Sequence, residues 1–100
     1  MHNYRAQVVR IIDGDTVDFS VDLGFNIRIT IRTRLLGVDT PERGHVDFKK
    51  ATLVLTNLLN EQKDDEGYVM IKTGKTGKYG RWLADIEGVN ESLAKAWPYE

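Results

Sequence analysis

Apolar and polar residues alternate with the two-residue period of a strand over the first third of the chain. Tyr4 to Ile12 is rich in β-branched residues and stops at Asp13-Gly14, a strong turn signal. Thr16 to Leu23 resumes the alternation, with Val17, Phe19 and Val21 on one face, and turns at Gly24. From Asn26 to Leu36 the pattern is clearest: Ile27, Ile29 and Ile31 point one way, and Arg28, Thr30, Arg32 and Arg34 the other. Strands joined by such short turns form a meander.

The period then lengthens. Val38 to Gly44 reads as a loop broken by Pro41 and Gly44. From Asp47, a plausible N-cap, Phe48, Ala51, Leu55, Leu58, Leu59 and Gln62 recur at helical spacing to about Lys63. Asp64-Asp65-Glu66-Gly67 ends that helix, and Tyr68 to Thr73 predicts a fourth strand. The glycine-rich stretch 74–80 leads to a short fifth strand, Arg81 to Ile86. A second helix, with Asn90 as its candidate cap, runs to about Trp97 and is stopped by Pro98. The order β-β-β-α-β-β-α suits an α+β, mainly β, five-stranded barrel of the OB type with two helices. Periodicity alone equally permits another α+β sheet.

With 100 residues, 41% hydrophobic and 29% charged, the chain is expected to form a single domain spanning 1–100. No apolar run approaches the roughly 20 residues that cross a bilayer, so no membrane association is expected. Cysteine is absent, which excludes disulfides, thiolate metal sites and a cysteine nucleophile. No signal-peptide pattern follows Met1, so the sequence as given suggests a cytoplasmic protein, or a secreted one whose leader has been trimmed. The net charge of −1 argues mildly against diffuse attraction to nucleic acid. Six of the seven arginines nevertheless lie in the first half, where guanidinium groups suit fixed ligand contacts.

Three clusters carry candidate chemistry. Asp13-Gly14-Asp15-Thr16 could be a plain hairpin turn. As an EF-hand it fails, because Val17, Asp18 and Gly24 occupy the fifth, sixth and twelfth loop positions. In Arg34-Leu35-Leu36-Gly37-Val38-Asp39-Thr40-Pro41-Glu42, Asp39 and Thr40 could merely shape the turn around Pro41. Asp39 with the Thr40 carbonyl is also a credible half-site for a hard cation. Gly74-Lys75-Thr76 resembles the end of a P-loop, but Val69 stands where that motif needs glycine, and Gly77 and Gly80 oppose the following helix. Together, Asp15, Asp39, Glu42, Arg34 and Arg81 supply what phosphodiester hydrolysis needs. A metal neutralises phosphate oxygens, an acid deprotonates water, and guanidiniums hold the charge that builds at phosphorus.

Asp13-Gly14-Asp15-Thr16-Val17, Arg34 through Glu42, and Lys78-Tyr79-Gly80-Arg81 resemble, in order and spacing, the motifs of the staphylococcal nuclease-like family. The likeness runs from about Tyr4 to Ala96. It implies an OB-fold barrel and a Ca²⁺-dependent endonuclease acting on DNA and RNA, single strands preferred. Such enzymes cleave the 5′-oxygen side and leave 3′-phosphate ends. By the same resemblance, Asp15 and Asp39 would bind Ca²⁺ through carboxylates and Thr40 through its carbonyl. Glu42 would be the general base, Arg34 and Arg81 would clamp the scissile phosphate, and Tyr79, with Lys78 beside it, would contact substrate.

The chain departs from the family pattern in three places. The basic loop after the Asp-Thr-Pro-Glu motif is shortened to Arg43-Gly44-His45-Val46-Asp47, and Trp82 follows Arg81 where a small residue is common. The family's last helix is missing or reduced, with Tyr99 a partial substitute for its base-contacting tyrosines. Trp97 is then expected to cover the exposed barrel, and homodimerisation through this C-terminal region is the associated expectation. The competing reading is a catalytically weak or inactive module that binds nucleic acid or protein on the same barrel. His2 and His45 fall in no ligand pattern.

Overall fold

The structure, a computed structural model, describes residues 2–38, 40, 46–75 and 82–97. Its strands are β1 (His2–Asp13), β2 (Thr16–Asp22), β3 (Arg28–Leu35), β4 (Val69–Lys75) and β5 (Trp82–Asp85), and its helices are α1 (Phe48–Gln62) and α2 (Asn90–Ala96). The strands close into a barrel in the order β1-β2-β3-β5-β4, the mainly β OB-fold architecture that the alternation suggested.

Closure depends on β1. Its first residues pair antiparallel with β4, from His2↔Thr73 to Ala6↔Val69, and its later ones with β2, from Ala6↔Val21 to Asp13↔Thr16. Register shifts between Val8 and Arg10 and between Ile11 and Asp13 bend it as it passes from one partner to the other. β2 also pairs antiparallel with β3 and β4 with β5, and the barrel is completed by the short parallel pairing of β3 with β5, Thr33↔Trp82 to Leu35↔Ala84.

Inward-facing Val17, Phe19, Val21, Leu35, Val69 and Ile71 fill the interior with Leu55 and Leu59 of α1 and Leu93 of α2. Buried Thr33 fits among them because its hydroxyl donates to the Val17 carbonyl at 2.9 Å. The helical spacing of α1 holds: Ala51, Leu55 and Leu59 are the buried positions, with Phe48 and Leu58 half-buried and Gln62 exposed. The isoleucine face of β3 is only partly a core face. Ile27 and Ile29 are exposed, because β3 gains its second neighbour only from Thr33 onward.

Caps differ from the simple reading of their residue types. Asp47 takes the N-cap position of α1 and its carbonyl accepts from Ala51 N at 3.0 Å, but it makes no side-chain cap hydrogen bond. Its φ of −93° and ψ of 5° lie outside the extended conformation that aims a capping carboxylate at the first-turn amides. Val89, instead of Asn90, is the N-cap of α2. Asn90 does different work: its Oδ1 accepts from Ile86 N at 3.0 Å, and its Nδ2 donates to Leu36 O at 2.9 Å and Ala84 O at 3.0 Å. One buried amide thereby ties α2 to both strands of the parallel seam. Trp97 packs half-buried against the core, consistent with a covering role within one chain. Among the described residues, no helix is long and apolar enough to cross a membrane.

Candidate active site

The first two clusters meet on the barrel surface. The β1–β2 turn carries Asp13, Gly14 and Asp15, and Gly14 is glycine for a steric reason. A Cβ there would lie 2.6 Å from Thr40 Oγ1 and 2.8 Å from Ala51 Cβ. The turn is therefore seated directly on Thr40 and the first turns of α1. On its other side the register places Thr16 opposite Arg34, and Leu35 N donates to the Asp15 carbonyl at 2.8 Å. Arg34 Nη2 comes to 3.8 Å from Asp15 Oδ2 and donates to Val38 O at 3.3 Å, which tethers the guanidinium over the turn leaving β3.

The carboxylates of this turn are held close together. Asp15 N donates to Asp13 Oδ1 at 3.1 Å, and Thr16 Oγ1 donates to Asp15 Oδ1 at 3.0 Å. Burial first, and then the neighbouring Asp13 carboxyl, push the Asp15 pKa up to about 6, against the opposing pull of the Thr16 hydroxyl and the Arg34 charge. Burial also raises Asp13, but hydrogen bonds from the Asp15 carboxyl and amide and from Thr16 outweigh it and hold Asp13 below the ordinary carboxylate range. Sequence reasoning missed Asp13 as a partner of Asp15. The Asp-Gly-Asp spacing was the available signal, although it also fits any tight turn.

These residues suit a hard divalent cation. Two acidic side chains in contact, one of them driven toward protonation, form a site whose negative charge a cation would relieve. Beneath the turn, against Gly14, Thr40 Oγ1 is buried and without a hydrogen-bond partner. Among the described residues alone, no group of three or more histidine or acidic side chains converges in metal-holding geometry. A cleft of about 500 Å³, lined by Arg34, Leu35, Gly37, Val38 and Leu83, opens beside the arginine.

Of the expected site residues, Asp15, Arg34 and Thr40 are thus brought together. Asp39, Glu42, Lys78, Tyr79 and Arg81 lie outside the described residues. The framework flanking the last three is described: Lys75 pairs with Trp82, and Trp82 pairs with Thr33, the neighbour of Arg34.

No family model matches the chain. Protein ParB of Escherichia coli is 34% identical over 94 residues, covering 94% of this chain and 47% of that protein. Micrococcal nuclease of Shigella flexneri is 37% identical over 84 residues, covering 84% of this chain and 42% of that protein. The chain therefore spans about half the length, 47% and 42%, of these curated relatives. A relative aligned along 84% of the chain, on a closed five-stranded barrel bearing the three motifs in order, places it plainly: the chain belongs to the staphylococcal nuclease-like family.

Proposed function

We propose that this domain hydrolyses phosphodiester bonds of DNA and RNA with the help of Ca²⁺. The observation that carries the reading is the seating of the Asp13–Asp15 turn against Thr40 with Arg34 Nη2 3.8 Å from Asp15. It puts a crowded carboxylate pair and a tethered guanidinium side by side, the charge pattern that a cation and a phosphate would share. The name of the Shigella flexneri relative, Micrococcal nuclease, supports the same activity.

Asp15, Asp39 and the Thr40 carbonyl would hold the cation. When bound, it supplies positive charge against the phosphate oxygens and lowers the pKa of coordinated water. Glu42 takes a proton from the attacking water, whose oxygen forms the new bond to phosphorus as the bond to the 5′-oxygen breaks. That oxygen takes up a proton from solvent and leaves as a 5′-hydroxyl, and the other product ends in a 3′-phosphate. Arg34 and Arg81 hold the charge that grows on the phosphoryl oxygens, a role in which a fixed guanidinium outperforms a flexible ammonium. Tyr79 and Lys78 contact substrate beyond the scissile group. The homodimer expected through the C-terminal region remains a proposal, and sedimentation of the purified chain tests it.

Incubation with single-stranded DNA, with calcium and with excess chelator, tests the function. Calcium-dependent shortening to 3′-phosphate ends is expected. Intact DNA whose mobility shifts in a salt-sensitive way would instead assign the module that binds without cutting.

A further inference from the structure

A groove of about 400 Å³ runs between the later part of β1 and the start of α1, lined by Arg10, Ile11, Ile12, Phe48, Lys49 and Leu53 among others. It adjoins the candidate active site on both walls. Along β1, Ile12 immediately precedes Asp13, where the strand passes into the turn that carries Asp15. Along α1, Ala51, the neighbour of Thr52 in the groove wall, is the residue against which Gly14 is seated.

The charge of this groove is one-sided. Arg10 stands opposite Asp18 in the sheet, and Asp18 stands opposite Arg32. Arg32 takes the carboxylate with both of its hydrogen bonds, Nε to Oδ1 at 2.8 Å and Nη2 to Oδ2 at 3.2 Å. That row of two arginines and one acid leaves a surplus positive charge at Arg10. Across the groove, the first turn of α1 carries Lys49 and Lys50 and no acid, with Asp47 just before it as the N-cap. A helix start is stabilised by acidic side chains and not by lysines, so this arrangement runs against local stability. Such departures concentrate where a surface serves a ligand. No acidic side chain lines the groove among the described residues. Phe48 and Leu53, which line the same groove, provide an apolar wall suited to the face of an unpaired base.

The geometry points to this β1–α1 groove as the track that holds a single polynucleotide strand as it leaves the scissile phosphate. Backbone phosphates lie against Arg10 and Lys49, and a base lies against Phe48. This inference rests on the nuclease reading and assigns it a binding surface outside the three motifs. The hydroxyls of Thr52 and Thr56 take no part as donors, because they donate to the carbonyls of Phe48 and Thr52 at 3.1 and 2.8 Å.

Equilibrium binding of a fluorescent single-stranded oligodeoxynucleotide, measured in chelator over a range of salt concentrations, tests the track without depending on cleavage. The parent protein is compared with Arg10→Gln/Lys49→Gln and with Lys95→Gln, which removes a cation paired to Glu91 on α2. The double variant is expected to flatten the slope of log K against log salt by about 1.4 and weaken binding on the order of tenfold at 0.1 M salt. Lys95→Gln is expected to match the parent. Parental affinity and slope in the double variant would overturn the track and leave the nuclease reading standing. A parent that binds no single strand at any salt concentration would likewise overturn the track, while the nuclease reading stands or falls on calcium-dependent cleavage. Should the double variant not fold, the two single variants carry the same test, each with about half the slope change.

Discussion

At Gly14 the absence of a side chain joins two distant stretches of sequence. Gly14→Ala would push a methyl group to 2.6 Å from Thr40 Oγ1 and 2.8 Å from Ala51, so turn or helix must retreat. The expected cost is about 1–3 kcal/mol of stability, the usual range for an overpacked site. Moving the turn that carries Asp15 should also slow cleavage more than a loss of stability alone explains, so unfolding curves read alongside rates check both parts. Asp18 offers a pH test. The hydrogen bond from Arg32 holds its pKa below the ordinary carboxylate value, with burial opposing and the arginine charge assisting. A depressed folded pKa means that the stabilisation is present above the unfolded value of about 3.9 and is lost as pH falls through the lower folded value. Asp18→Asn should therefore lower the unfolding midpoint slightly at neutral pH and converge on the parent in acid. At this scale the sequence was legible wherever a residue type acts through chain neighbours, as in the Asp-Gly-Asp turn. The contact of Asp13 with Asp15 was not, since the same three residues make an ordinary hairpin unless the turn is buried.

Among the elements, alternation marks β2 and β3, β-branched residues and the turns or breakers around them mark the other strands, and the helical spacing of Ala51, Leu55 and Leu59 marks α1, whose buried face they form. What joins the elements was harder to read. The parallel β3–β5 seam links stretches nearly fifty residues apart, and no local periodicity encodes a non-local pairing. Nor does the isoleucine alternation disclose that Ile27, just before β3, and Ile29 within it lie short of the second strand neighbour. Asn90 has the residue type of a cap, yet its amide serves the seam, bonding Ile86 N, Leu36 O and Ala84 O. Asn90→Ala would leave buried backbone groups short of partners, costing about 2–4 kcal/mol, and calorimetry should show the midpoint falling by about 10 °C or more. Since Leu36 and Ala84 border the strand end that carries Arg34, residual activity should fall with it. An alanine variant as stable as the parent would remove this clasp from the account.

For the whole molecule, the barrel holds side chains from separate loops at fixed positions, as a rigid scaffold does for residues on its loops. Asp15 from the β1–β2 turn, Arg34 from the end of β3 and Thr40 from the following segment are held together by strand register and by one close packing contact. The net charge of −1 concealed this, because charge summed over a chain says nothing about where arginines and carboxylates converge. The most direct test compares single-turnover cleavage of a short single-stranded DNA, in calcium, by the parent, Asp15→Asn and Arg34→Gln, each first shown to fold by circular dichroism. Either substitution is expected to slow cleavage by about 10²-fold or more. A folded variant at either position that cuts at the parental rate would contradict it.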